Sequence, residues 1–238
     1  MKISVCMATY NGAQYVDIQL HSIINQLSVD DEIIVVDDCS TDNTVGIIRS
    51  FNDSRINIIV NNSNIGLIKN FEKAVRHATG DIIFLSDQDD EWMDNKVDTV
   101  VKLMLTENID LLQHDAIVIN NKGDILYDSW AELRKFGTGI IKNFTINTYV
   151  GCCIAFRKEI VASIIPIPVG VQSHDQWIGI MAELSGFKVK FINDKLIKYV
   201  RHGLNISSMT RRKLSSVIYG RIKLFEAIFV YYGFKIFK

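Results

Sequence analysis

Residues 86–92, SDQDDEW, set Asp87, Asp89, Asp90 and Glu91 directly behind the apolar run DIIFL. Carboxylates this close repel one another and resist desolvation, so a positive partner is expected among them. Oxygen ligands at i and i+2, as in Asp87-Gln88-Asp89, suit Mg2+ or Mn2+ held by one or two carboxylates with substrate phosphates completing the shell. An ion there would neutralise the charge that develops on a diphosphate leaving group. A solvated acidic turn capping the following helix accounts for the same residues taken alone.

Three further groups carry chemistry. The pair Asp37-Asp38 follows EIIVV, where a carboxylate can accept from a nucleobase N–H or ribose hydroxyls; with Ser40, Thr41 and Asp42 it also reads as a turn and N-cap cluster. In Ser173-His174-Asp175-Gln176, Asp175 has the character of a general base for a hydroxyl. The same four residues fit a capping box, and a first-turn acid is favoured by the helix dipole. In Tyr199-Val200-Arg201-His202, His202 offers an imidazole to a metal and Arg201 a guanidinium to phosphate. Lys69 and Arg76 can reach phosphate or lie on a solvated helix face.

The elements that must position these groups alternate in type. Apolar runs at 3–8, 32–36, 56–60 and 81–85 read as buried strands, and helical spacing follows over 13–27, from Ser40–Asp42 to about Phe51, and over 67–78. This is the pattern of βαβ units in a mostly parallel, Rossmann-like sheet flanked by helices, so the fold class is α/β. Ligands of such sheets bind beyond the carboxyl ends of the strands, which brings loops 9–12, 37–42 and 86–92 to one edge. Further on, 94–105 reads as a helix, 109–120 as a strand, 121–148 as loop-like, 149–156 as a strand, 173–184 as a helix, and 187–192 and 196–201 as strands.

With 238 residues, 48% hydrophobic and two prolines, the chain can form one sizeable core. A net charge of −1 gives no reason to expect nucleic acid, but the average conceals an asymmetry. Residues 211–238 hold seven Lys or Arg against Glu226 alone, a local +6 on a body of −7. Cys6, Cys39, Cys152 and Cys153 show no zinc spacing and read as reduced cytosolic thiols. Neither a signal-peptide pattern nor an uncharged apolar run of 18 residues is present.

Taken together, ISVCMATYNG (3–12), DEIIVVDDCSTDNT (31–44), NIGLIKNFEKA (64–74), GDIIFLSDQDDEW (80–92), VGCCIAF (150–156), SHDQW (173–177) and YVRHGLN (199–205) resemble family 2 glycosyltransferases of the GT-A fold. SDQDDEW followed by HDQW is most similar to the bacterial branch that builds O-antigen and capsule, rhamnosyltransferase-like members included. The resemblance implies an inverting, metal-dependent transferase that moves a sugar from a UDP- or dTDP-linked donor to a glycan or lipid-linked glycan acceptor. By it, Ala8, Thr9 and Tyr10 line the base pocket largely through backbone, Asp38 meets the nucleobase and Asp87 the ribose. Asp89 holds Mn2+ or Mg2+ on the diphosphate with His202 as a further ligand, and Asp175 is the base. Trp177, Gly151 and Cys152 flank the sugar or acceptor. Asp90 and Glu91 are left to favour the next helix's N-terminus. The final motif departs from the branch's usual Tyr-Arg-x-His: Arg201 is shifted by one, and a one-residue slip on a strand reverses a side chain's face.

A transferase domain over 1–209 is therefore expected, followed over 210–238 by a basic amphipathic helix that lies on an anionic membrane surface or packs on the domain. The corresponding location is cytoplasmic, peripheral on the inner face of the cell membrane. Two other classes fit less well. A carboxylate–metal phosphotransferase lacks a supporting lysine motif, and a catalytically weak nucleotide-binding homologue would not need Asp175. No GxGxxG follows the first strand, which disfavours a dinucleotide enzyme.

Overall fold

The structure, a computed structural model, describes residues 1–203, 205 and 214–236, with side chains of the last helix described through Tyr231. The first half runs β1 (Ile3–Thr9), α1 (Val16–Ile24), β2 (Glu32–Asp37), α2 (Thr44–Ser50), β3 (Ile56–Val60), α3 (Leu67–His77), β4 (Ile82–Ser86), β5 (Glu91–Trp92) and α4 (Lys96–Thr106). The second half runs β6 (Leu111–Asn120), β7 (Ile125–Tyr127), α5 (Trp130–Arg134), α6 (Ile140–Thr145), β8 (Ile154–Arg157), α7 (Val161–Ile164), α8 (His174–Leu184), β9 (Val189–Arg201) and α9 (Leu214–Ile236).

The strands form one sheet in the order β3-β2-β1-β4-β8-β6-β9-β5, with β7 paired to β6. Every residue of β1, β2 and β4 is buried, because helices cover both faces. Alternation divides β1 between two cores. Ile3, Val5 and Met7 join Val16, Leu20 and Ile23 of α1 and Val97, Val100 and Met104 of α4, while Cys6 and Ala8 join Phe71, Ala74 and Val75 of α3 and the buried face of α8.

Long-range pairing departs from the local pattern in the second half. Residues 149–156 are not one strand: a 3-10 turn over Gly151–Cys153 precedes β8, which runs antiparallel between β4 and β6. The two strands expected over 187–201 are one, bent by register shifts along β6. Two short helices and β7 occupy the span read as loop.

The acidic stretch changes most. Glu91 and Trp92 form β5 on β9, with Glu91 opposite Lys198 and paired to it at 2.7 Å, and α4 begins only at Lys96. Glu91 and Asp90 therefore do not serve the next helix's N-terminus. The expected boundary between 209 and 210 lies outside the described residues. Helix α9 does pack on the body: Leu224 and Ala227 are buried in the second core.

Candidate active site

Strands β1, β2 and β4 are parallel and in register, Thr9 opposite Asp37 and Met7 opposite Ser86, so their following loops emerge at one edge. The loops are knitted together. Asp37 accepts from the Thr9 hydroxyl and from the backbone and side chain of Ser40, which makes it the turn residue. Asp38 is buried, and its carboxylate accepts from Asn61 Nδ2 (2.9 Å) and from the backbone N–H groups of Ile65 and Gly66 (2.8 Å each). It thereby ties the loop before α3 to the sheet edge.

The backbone groups expected to meet a base are largely engaged within the protein. Thr9 O accepts from Asp38 N, and Gln88 clasps Tyr10, its Oε1 accepting from Tyr10 N (2.8 Å) and its Nε2 donating to Tyr10 O (3.1 Å). Ala8 is buried in β1, whereas the Tyr10 side chain is exposed, so this loop offers a surface rather than free backbone donors.

Behind Ser86 the acids separate by direction. Asp90 is buried, and its Oδ1 accepts from Val200 N at 3.2 Å while its Oδ2 has no partner among the described residues. Ligand atoms of Asp87, Asp90 and Cys152 lie within 4.8 Å of one another. Burial, and then the charges of Asp89 and Asp175, push Asp87 up to about 7. Asp90 is pushed well up by burial and by Asp89 and Asp87. Asp89 lies at the rim, where burial raises its pKa against the pull of His202, whose Nε2 stands 2.7 Å from Asp89 Oδ2. Asn205 closes this group, donating to Asp89 at 3.2 Å and accepting from His202 N at 2.6 Å. An orphaned buried carboxylate oxygen amid carboxyls that resist ionisation is the setting a divalent cation relieves, and the carboxylate oxygens suit Mn2+ or Mg2+.

On the other side of the site, Asp175 opens α8. The capping box does not form: no side chain caps the helix at Ser173, whose hydroxyl instead donates to Asp175 Oδ1. Asn147 Nδ2 (3.2 Å) and Gln176 N (2.6 Å) donate to the same oxygen. Oδ2 takes no hydrogen bond among the described residues, so the carboxylate is held by one oxygen and offers the other.

The sugar-flanking residues require correction. Trp177 is fully buried, its indole N–H donates to Ile164 O at 2.8 Å, and it belongs to the second core rather than to a sugar surface. Gly151 and Cys152 are buried as well, beneath the site. A Cβ on Gly151 would lie 2.6 Å from His174 Nε2, so glycine there lets the turn press against the start of α8. Lys69 and Arg76 both pair with Glu72, at 2.7 Å each, in place of a phosphate.

Four contributors escaped the motif reading: Gln88, Asn147, Tyr15 and Lys96. Tyr15, within the helical spacing of 13–27, stacks on His202 with ring centroids 4.3 Å apart. Lys96 is buried, donates from Nζ to Cys152 O (2.9 Å), lies 4.0 Å over the Trp92 ring and is held down at about 8 by burial despite the acids nearby. Its signal was present: Lys96, Val100 and Met104 recur at every fourth residue, which puts a lysine on the inward stripe of an apolar helix.

Comparison with known proteins follows the same lines. The model of the family described as glycosyl transferase family 2 matches residues 4–165. WfgD of Escherichia coli, a UDP-Glc:alpha-D-GlcNAc-diphosphoundecaprenol beta-1,3-glucosyltransferase, is 32% identical over 119 residues, 50% of this chain and 47% of its own length. The dTDP-rhamnosyl transferase RfbG of Shigella flexneri is 36% identical over 124 residues, 49% of this chain and 43% of its own. This match thus spans about half the length of either relative. Among solved structures, TarS of S. aureus in complex with UDP-GlcNAc aligns with a TM-score of 0.76 at 20% identity, covering 96% of this chain and 67% of TarS. The mannosyltransferase PcManGT from Pyrobaculum calidifontis, in complex with GDP-Man and Mn2+, aligns at 0.64 with 20% identity, over 99% and 64%. The fold is the GT-A arrangement.

Proposed function

The chain belongs to glycosyl transferase family 2, and from that premise we propose that it transfers a sugar from a UDP- or dTDP-linked donor to a hydroxyl of a glycan acceptor, with inversion, in surface polysaccharide assembly. The observation that carries this reading is that Asp175, with Oδ2 taking no hydrogen bond among the described residues, stands near enough to Asp87 for its charge to raise that carboxyl. Donor preference for UDP or dTDP, and a lipid-linked acceptor, follow the activities named for WfgD and RfbG.

In the reaction, Asp175 Oδ2 accepts the proton of the acceptor hydroxyl as that oxygen bonds to the anomeric carbon. The bond from that carbon to the diphosphate oxygen breaks, and the nucleoside diphosphate leaves with the electron pair. A single displacement from the opposite face inverts the centre. Ser173, Asn147 and Gln176 hold Oδ1 and so aim the other oxygen. The exposed Tyr10 ring and the remaining acceptor capacity of Asp38 serve the nucleobase, and Asp87 the ribose. A divalent cation, Mn2+ or Mg2+, supplies charge neutralisation at the diphosphate when bound, and Asp89, His202 and the Asp87–Asp90 carboxylates would hold it.

No helix among the described residues is long and apolar enough to cross a membrane. The proposed location is the inner membrane face, where a lipid-linked acceptor resides. A thermal-shift panel of UDP, dTDP and GDP, each with and without Mn2+, tests the assignment. Stabilisation by UDP or dTDP that depends on Mn2+ is expected; no metal-dependent stabilisation by any nucleotide would overturn it.

A further inference from the structure

Helix α9 has two faces with different fates. Its inner face is fixed to the body: Leu224 and Ala227 are buried, Tyr231 Oη donates to Ala162 O at 3.0 Å, and Arg221 donates to Thr145 O at 2.9 Å. A Cβ on Gly220 would lie 2.5 Å from Gln172 Oε1, so the helix backbone is pressed onto the loop just ahead of Asp175. The outer face carries Ile218, Ile222, Phe225 and Phe229, spaced by four, three and four residues along one stripe. Phe225 is 62% and Phe229 72% exposed, although a helix packed on only one side normally turns polar residues outward.

Apolar exposure continues where the helix is attached. Ile146 follows Thr145, the partner of Arg221, and is exposed; Val169 precedes Gly170, which the Lys223 stem packs against, and is 93% exposed. Ile146 also adjoins Asn147, which binds the proposed base. The exposed apolar surface thus reaches the residue next to Asn147.

We propose that the outer face of α9, with Ile146 and Val169, docks on a bilayer of anionic phospholipid and holds the Asp175 side of the site against it. Charge selects this occupant. In sequence the segment 211–238 bears seven Lys or Arg against one Glu; Arg221 and Lys223 lie on opposite flanks of the helix between its inner and outer faces, Lys223 paired to Glu226 at 2.7 Å. Anionic headgroups complement that charge, and apolar side chains enter the acyl boundary. A second copy meeting this face across a two-fold axis would instead bring two segments of +6 together. The helix is already packed on the body, so docking needs no coupled folding. The link to a lipid-linked acceptor rests on the proposed function; the docking itself does not.

The test is flotation of the full chain with vesicles of phosphatidylglycerol and phosphatidylcholine, or of phosphatidylcholine alone. Binding is expected only with phosphatidylglycerol and should weaken as salt rises. The pair Phe225→Gln with Phe229→Gln should lower the partition by about a hundredfold or more, since each change removes a side chain worth at least about a decade of burial. Both rings are exposed, so the melting temperature and the nucleotide shift with Mn2+ should stay unchanged and report the site separately. Equal flotation by wild type and variant, or equal binding to neutral and anionic vesicles, would overturn the proposal. So would absence of flotation together with a dimer by light scattering that the variant abolishes. A milder pair, Ile222→Ser with Val169→Ser, should show the same loss and guards against a helix defect peculiar to the first.

Discussion

Asp175→Asn is the sharpest test of the site because the structure fixes what the amide will do. Three donors converge on Oδ1: the Ser173 hydroxyl, Asn147 Nδ2 and Gln176 N. Those donors can be satisfied only if the amide oxygen takes that position, which forces the NH2 to the place of Oδ2. The variant then offers the acceptor hydroxyl a donor where the wild type offers a base. Loss of general-base assistance is expected to lower kcat by about 10²–10⁴, or about 3–5 kcal/mol of barrier at 1.36 kcal/mol per decade. Stability should change little. Three hydrogen bonds weaken from charge-assisted to neutral, while the repulsion that Asp175 exerts on Asp87 disappears. A net change within about 2 kcal/mol corresponds to a melting shift of no more than about 4–8 °C. Single-turnover transfer from a UDP- or dTDP-linked donor, read beside a nucleotide thermal shift with Mn2+, separates the two effects. Turnover within about tenfold of wild type would remove Asp175 from the base role. So would a kcat loss that simply tracks a loss of nucleotide binding.

Glu32 accepts from Ser4, Lys2 and Thr79; burial alone would push it up, but these donors hold it down at about 2 from 4.5. Its contribution is therefore full above pH 4.5 and fades as pH falls toward 2, so Glu32→Gln should cost about 3 kcal/mol near pH 6 and almost nothing at pH 2 by urea unfolding. A gap independent of pH would refute this. Lys96 moves the other way: burial lowers it from 10.5 to about 8, the unfolded chain binds the extra proton between those values, and this group's share of stability rises with pH across the window. Against Lys96→Met, the wild type should accordingly gain up to about 3 kcal/mol between pH 8 and 10.5, and a constant difference would contradict the burial. Gly151→Ala sets a Cβ 2.6 Å from the His174 ring, which stacks on Phe71 with 4.2 Å between centroids. A cost of about 1–3 kcal/mol is expected in thermal unfolding. The same strain at the head of α8 should lower kcat, and an unaltered rate would show that Asp175 is positioned independently of the turn.

Much of the site was legible because it depends on period and polarity. Strands apolar on both faces, each closed by acids, require a covered parallel sheet with its ligand edge at the strand ends, and Asp38 and Asp89 lie in the loops so identified. The errors fell where a local pattern has two tertiary outcomes. Ser173 and Gln176 match a capping box, yet Ser173 turns to Asp175 and Gln176 Nε2 donates to Asn143 O at 2.6 Å. Trp177 stands beside the proposed base in sequence, but two positions along a helix is about 200° of rotation, which carries it into the core.

What the residues determined alone was the α/β class, the sheet edge where the acidic loops gather and the family, since each rests on short-range order: alternation within strands, apolar stripes on helices, and motifs of a few residues. The structure decided which acids face which way. Asp90 turns inward and Glu91 outward only because Glu91–Trp92 pairs with β9, opposite Lys198 more than a hundred residues away. Side-chain direction in a loop carries no period, so it is set by whichever distant strand the loop meets. The same holds for Lys96, whose burial beneath the carboxylates depends on how α4 lies under the sheet. It holds again for α9: the sequence gives an apolar helix with basic flanks, and packing against Trp177 and Ala162 selects the face that remains for a partner.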